Sequence, residues 1–241
     1  NNSIKNRVVI GGIWLYTLQG LSSILLIIQT IVLARLLSPR HFGLIGVFLI
    51  VSAALESFTN SGFNKALIQR ENLDRGYLDT AWTIAIIRGI ILFSLLYVGS
   101  PFIVNLFNTP NALPVVRILS FSLLIKGFSN IGTIFFSRDL DFFKYFIWKS
   151  GTTLINFLVC IPLVFILVNE WAIVWGMLAG EVFALIFSYS LSSFRPRFRF
   201  NYNEFKALFD FGKWLFLSSI TRFFAKQGDK IVVTKLLGES L

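Results

Sequence analysis

Charge is scarce in this chain: only 14% of its 241 residues are Asp, Glu, Lys or Arg, against about a quarter in an ordinary soluble domain. A water-soluble fold needs a polar coat, yet 55% of the residues are hydrophobic, 16% are aromatic and the mean hydropathy is +0.73. Lipid must supply the missing solvent. Cysteine and histidine are nearly absent as well. Cys160 lies in an apolar run, excludes an internal disulfide and reads as a small core or lipid-facing residue. With His41 the sole histidine, neither a zinc site nor a thiol–imidazole pair is expected. There is no Gly-rich phosphate loop and no nucleophile with a base partner, so no cofactor, metal or catalytic residue is expected. Asp139 and Asp141, two apart, read as a solvated acidic loop. The early apolar run at 13–33 is too long for a cleaved leader and lacks a small-residue cleavage pattern. Methionine occurs once, as Met177, in a chain opening on Asn1, and a piece of a longer protein is expected.

Long apolar runs are what the chain does have. Spans of about 20 apolar residues mark membrane helices, and seven are expected at 12–33, 42–62, 80–104, 114–136, 146–168, 172–191 and 213–234. They are long, continuous and not alternating, which favours helices over barrel strands. Lys5, Arg7, Lys65, Arg70, Arg75, Arg138, Lys144, Arg195, Arg197, Arg199 and Lys206 fall on one side of this layout, with only Arg35 and Arg40 on the other. Such a bias predicts a cytoplasmic N-terminus. The net charge of +10 is then a topology signal, and no nucleic-acid partner is expected. Residues 192–212 read as a basic cytoplasmic linker. Within it Phe205, Leu208 and Phe209 share a helical face that can lie along a leaflet, with the preceding arginines against anionic headgroups.

A repeat appears at an offset of two hundred. Gly12-Ile13-Trp14-Leu15 matches Gly212-Lys213-Trp214-Leu215, and Ile31 to Leu37 matches Ile231 to Leu237 in the same register without a gap. Restarting after six helices keeps the same orientation, as parallel repeats do. The expected organisation is an N-terminal six-helix bundle over 1–191, the linker, and the first helix of a second bundle over 213–241. Arg222, Lys226, Asp229 and Lys230 form one stripe on the seventh helix. Gln19, Ser22, Ser23, Gln29 and Thr30 form a milder polar stripe on the first. Both stripes are expected to face a central cavity.

Charges inside spans cost on the order of 2.5–3.5 kcal/mol on insertion scales and usually face protein or water. Arg88, Lys126, Arg222 and Lys226 are the cations at such positions, against Glu181 and Asp229, while Glu56 and Arg117 lie nearer helix ends and can snorkel. One reading pairs Arg88 with Glu181 inside the bundle. The excess of cations favours another, an anionic guest rich in phosphate oxygens.

Several blocks carry a family likeness: VLARLLSPRHFGLIGV, NKALIQRENLDRGYLDTAW, RFRFNYNEFKALFDFGKWLFLSSI and GDKIVVTKLLG. Together they resemble the oligosaccharide and polysaccharide flippases of the multidrug/oligosaccharidyl-lipid/polysaccharide exporter superfamily. The resemblance implies an all-α, multi-pass protein of the bacterial inner membrane, built of two six-helix bundles around a cavity. It implies transport of polyprenyl-pyrophosphate-linked oligosaccharide between leaflets, with membrane lipids and polysaccharide polymerase machinery as partners. By that likeness Arg88, Lys126, Arg222 and Lys226 would bind the headgroup, and Glu56, Glu181 or Asp229 would take a coupling H+ or Na+ or serve as ion-pair partners. A cation-coupled multidrug exporter is the main rival, and it should prefer an acidic cavity. A membrane glycan polymerase would need a large outer loop, and none is expected in this layout.

Overall fold

A computed structural model of the chain describes residues 2–59, 67–68 and 74–210. In order the helices are α1 (Asn2–Leu36), α2 (Pro39–Thr59), α3 (Arg75–Leu106), α4 (Leu113–Gly127), α5 (Ile134–Arg138), α6 (Phe142–Leu167) and α7 (Trp171–Leu191). Residues 202–210 are helical too, and no strand occurs among the described residues. Five stretches are long and apolar enough to cross a membrane: Gly12–Leu36, Pro39–Ser57, Arg75–Leu106, Phe142–Leu167 and Trp171–Leu191. A sixth crossing exists if Pro110–Gly127 and Ile131–Arg138, bent by 70°, form one broken span. The chain is an all-α polytopic membrane protein. Its outward faces agree with that: Leu26, Val98, Phe102 and Ile166 stand in the open, which lipid tolerates and water does not. The expected seventh span, 213–234, lies outside the described residues.

Packing proceeds as a chain of neighbours. α1 lies on α6, α6 on α7, α7 on α4 and α4 on α3, while α2 leans on α4 and α3. The main core joins Val47 and Phe48 of α2, Leu92 and Leu96 of α3, Val115, Val116 and Leu119 of α4, and Val174 of α7. Cys160 is fully buried beside Leu33, Leu37 and Val164, a packing role. Small residues set the closest crossing. A Cβ placed on Gly89 of α3 would stand 2.9 Å from the Cα of Gly127 on α4, so only glycine permits this approach.

The first span, expected at 12–33, is found at Gly12–Leu36 with its helix α1 extending back to Asn2, while α3 runs from Arg75 rather than from 80. At 32 residues α3 is about 48 Å long, well over the ~30 Å of a bilayer's hydrocarbon. Arg88 lies thirteen residues, about 20 Å, from Arg75 and eighteen, about 27 Å, from Leu106, just short of the helix midpoint.

The span expected over 114–136 is not continuous. Its helix stops at Gly127 and restarts as a 3-10 turn at Ile131–Thr133. Apolar content alone cannot reveal this, because the break depends on where the freed backbone groups go. Inside a membrane protein they need internal partners, and neighbouring side chains supply several. Tyr189 donates its hydroxyl to Phe128 O at 3.0 Å, and Asn130 N–H donates to Ser188 Oγ at 2.9 Å. Asn130 Oδ1 accepts from Gly132 N–H at 2.8 Å, while its Nδ2 donates to Phe194 O at 2.8 Å. α7 and the segment after it thus hold the break open.

That segment, residues 192–201, lies as a strap along the first turns of α3. Arg197 N–H donates to Asp79 Oδ1 at 2.9 Å and Arg199 N–H to Thr83 Oγ1 at 3.1 Å. Thr80 Oγ1 donates to Glu204 Oε2 at 2.6 Å, and Arg75 Nη2 donates to Arg195 O at 3.0 Å. Phe198 leans on Trp82 with ring centroids 4.8 Å apart. Phe205, Leu208 and Phe209 do not act as one lipid-directed face. Leu208 is buried against Leu67, Leu78, Ala81 and Ile134, whereas Phe209 is exposed.

Candidate functional site

Helix ends bring the buried charges together. Glu56 lies in the last turn of α2 and Lys126 is the penultimate residue of α4, immediately before the break. Helix C-termini carry partial negative charge, so a cation is favoured there. Arg88, one residue before the Gly89 crossing, reaches back to the same corner. Its Nη1 donates to the carbonyl of Thr59, the final residue of α2, at 3.5 Å. Glu181 projects from the middle of α7.

Lys126 is the hub. Its Nζ lies 3.0 Å from Glu56 Oε1 and 3.5 Å from Glu181 Oε1, so one ammonium bridges carboxylates from two different helices. The corner is not sealed: the side chains of Lys126, Glu56 and Glu181 are 45%, 37% and 24% exposed. Arg88 lies within electrostatic reach of Glu56. The expected alternative, Arg88 paired with Glu181, is not the arrangement found; Lys126 takes that carboxylate.

A fifth member was missed in the sequence. Lys149 of α6 feels the attraction of Glu181 and the repulsion of Lys126. Its Nζ stands 4.4 Å from the centroid of the Trp148 ring, a cation–π contact. Trp148 is itself fixed by donating Nε1–H to Ala184 O at 2.9 Å. The signal was available, since Lys149 is the sole charge inside the expected span 146–168. Lys126 contacts Glu56 and Glu181, and Arg88 and Lys149 each lie within electrostatic reach of one of them, a formal surplus of one positive charge drawn from five helices.

The remaining candidates separate from this corner. Arg222, Lys226 and Asp229 lie outside the described residues. Arg117 does not snorkel to a free end; its Nε donates to Ser100 Oγ at 3.1 Å and its guanidinium covers Tyr97 at 5.4 Å. In the polar stripe of α1, Gln29 donates to Asn156 Oδ1 of α6 at 3.1 Å, while Gln19 reaches Ser23 Oγ at 3.5 Å. Asp141 caps α6 by accepting from Lys144 N–H at 3.3 Å. Among the described residues no three His, Cys, Asp or Glu side chains gather as a metal ion requires. The chemistry available at the corner is binding: a cationic surface whose carboxylates can be displaced by an anion or neutralised by protons.

Comparison with known proteins decides the family. Residues 32–241 match the model of the polysaccharide biosynthesis protein family, well over half of the chain. The chain belongs to that family. The likeness to polysaccharide flippases carried by the LARLLSPRHFG block is thereby borne out. Similar curated proteins include the lipopolysaccharide biosynthesis protein WzxC of Escherichia coli K12, 22% identical over 98% of this chain and 48% of that relative. The succinoglycan biosynthesis transport protein ExoT of Rhizobium meliloti is 22% identical over 87% of this chain and 42% of its own length. The teichuronic acid biosynthesis protein TuaB of Bacillus subtilis is 24% identical over 98% of this chain and 49% of its own length. This member of the family thus spans about half the length of the curated relatives it matches. No solved structure matches it.

Proposed function

We propose that the protein is a transporter, not an enzyme, that moves polyprenyl-pyrophosphate-linked oligosaccharide across the bacterial inner membrane by alternating access, with its N-terminus in the cytoplasm. The observation that carries this reading is the Lys126 bridge: a cation shared by Glu56 and Glu181, in a half-open corner with surplus positive charge. Arg88, Lys126 and Lys149 hold the diphosphate, and Arg222 and Lys226 complete the set from the second bundle. A diphosphate competes with the two glutamates for Lys126. Protonation of Glu56 or Glu181 withdraws a competitor and raises the positive charge, so these carboxylates are where a coupling H+ acts, with Asp229 as their counterpart and Na+ as the other candidate ion. The polyprenyl tail stays in lipid, and the polymerase machinery receives the product.

Family membership and the relatives named for lipopolysaccharide, succinoglycan and teichuronic acid biosynthesis support the substrate class. A multidrug exporter of cationic compounds fits less well, because the corner is positive overall. Arg88→Ala in the full-length protein should abolish complementation of a flippase-null strain while membrane expression stays normal. Unchanged glycan export in that variant discards the headgroup role.

A further inference from the structure

The inner side of the strap is accounted for by its bonds to α3; its outer side is not. Arg195, Arg197, Arg199 and Lys206 are exposed. Beside them Phe198, Phe200 and Tyr202 are 72%, 56% and 65% exposed. We propose that this outer side is a docking surface for anionic lipid headgroups of the leaflet at the end of the bundle where α3 begins.

Depth is the first support. The strap bonds to α3 between Asp79 and Thr83, which lie about 35–40 Å along the helix from Leu106. With Leu106 at the opposite edge of the ~30 Å of hydrocarbon, that level falls in the headgroup layer. Large aromatic rings at this level sit favourably between acyl chains and headgroups, and arginines beside them meet phosphates.

Charge is the second. Within residues 192–210 four basic side chains stand against Glu204 and Asp210. Glu204 is turned inward, accepting from Thr80 and pairing with Arg199 at 3.4 Å. Arg199 shares its charge with the inward Glu204 and Arg195 donates to Ser192 O and Phe194 O, yet against the exposed carboxylate of Asp210 the exposed Arg195, Arg197 and Lys206 leave the outer side net positive. Rigidity is the third. The amides of Arg197 and Arg199 are engaged with α3, so the backbone is ordered before any lipid arrives and docking loses little entropy. An acidic protein or a nucleic acid would have to enter the headgroup layer to reach these side chains, which leaves lipid as the occupant.

The test uses full-length protein carrying Asn203→Cys, labelled with an environment-sensitive fluorophore; Cys160 is fully buried and stays unlabelled. It is placed in nanodiscs of phosphatidylcholine with or without phosphatidylglycerol, and quenching by neutral acrylamide is measured. Phosphatidylglycerol should lower quenching about twofold or more, and added salt should reverse this as screening shortens the reach of the charges. In Arg195→Gln/Arg197→Gln/Arg199→Gln the difference should vanish. Equal quenching in both lipids, or a difference indifferent to salt, overturns the proposal. If the triple variant cannot be recovered, the salt titration of the unsubstituted strap decides alone.

Discussion

Two basic residues of α4, nine positions apart, are held in opposite ways. Arg117 is satisfied by neutral groups of a single neighbour, the Ser100 hydroxyl and the Tyr97 ring on α3. Lys126 is held by two carboxylates, one from α2 and one from α7. The first arrangement ties one helix pair, and removing the cation strands no opposite charge. In the second, both partners are carboxylates, so withdrawing the lysine leaves Glu56 and Glu181 with no cation in contact, only Arg88 and Lys149 within electrostatic reach, in a half-open corner. A cation held by dipoles is a fixture, whereas one held by displaceable anions is poised for exchange with a ligand.

The largest effect should come from Lys126→Ala. Transport of lipid-linked oligosaccharide should fall by more than about a hundredfold, which corresponds to roughly 2.7 kcal/mol of lost interaction, and folded yield should drop. Combining it with Glu56→Gln and Glu181→Gln should restore yield without transport, measured by detergent-solubilised monodisperse protein and by complementation. Recovery of transport in the triple variant breaks the contrast. Next comes Asn130→Ala, which removes two side-chain bonds of a buried residue at the helix break. It should lower stability by about 2 kcal/mol, read as the shift of a denaturation midpoint. If the loss is undetectable, the break does not depend on that network.

Gly89→Ala should cost about 1–2 kcal/mol by overpacking against Gly127. It should also weaken transport, because the α3–α4 crossing sets the separation of Arg88 from Lys126. A variant as stable as the parent would show that the crossing yields freely. The smallest effect belongs to Arg117→Gln, which retains a donor for Ser100. Transport should remain within about twofold and stability within roughly 1 kcal/mol. A loss matching that of Lys126→Ala would erase the distinction between the two residues.

Much of the fold was legible because lipid imposes a simple demand: a long run of apolar residues must be helical and must cross. That logic found α2, α3, α6 and α7 within a few residues. It failed at 127–130, where hydropathy stays high and the break is written in hydrogen-bonding capacity. Gly127, Ser129, Asn130 and Gly132 in close succession were the available hint, of the kind that punctuates helices. Arg88, Lys126, Glu56 and Glu181 stood out for the same reason the spans did, as charges where charges are costly. Their pairing was not legible. Glu56 and Lys126 are seventy positions apart and Lys126 and Glu181 fifty-five, so which carboxylate meets which cation follows from helix order in space. Lys149 escaped because it sits near the start of its span, where a lysine ordinarily reads as an anchor.

The strap illustrates a division between what is fastened and what is free. At positions 197 and 199 the anchor is the peptide N–H, which almost every amino acid supplies, so α3 keeps its hold whatever side chain is mounted there. Selection can retune the outward chemistry of those sites without renegotiating the fold. Proline alone is barred, for it would bring no amide hydrogen to Asp79 or Thr83.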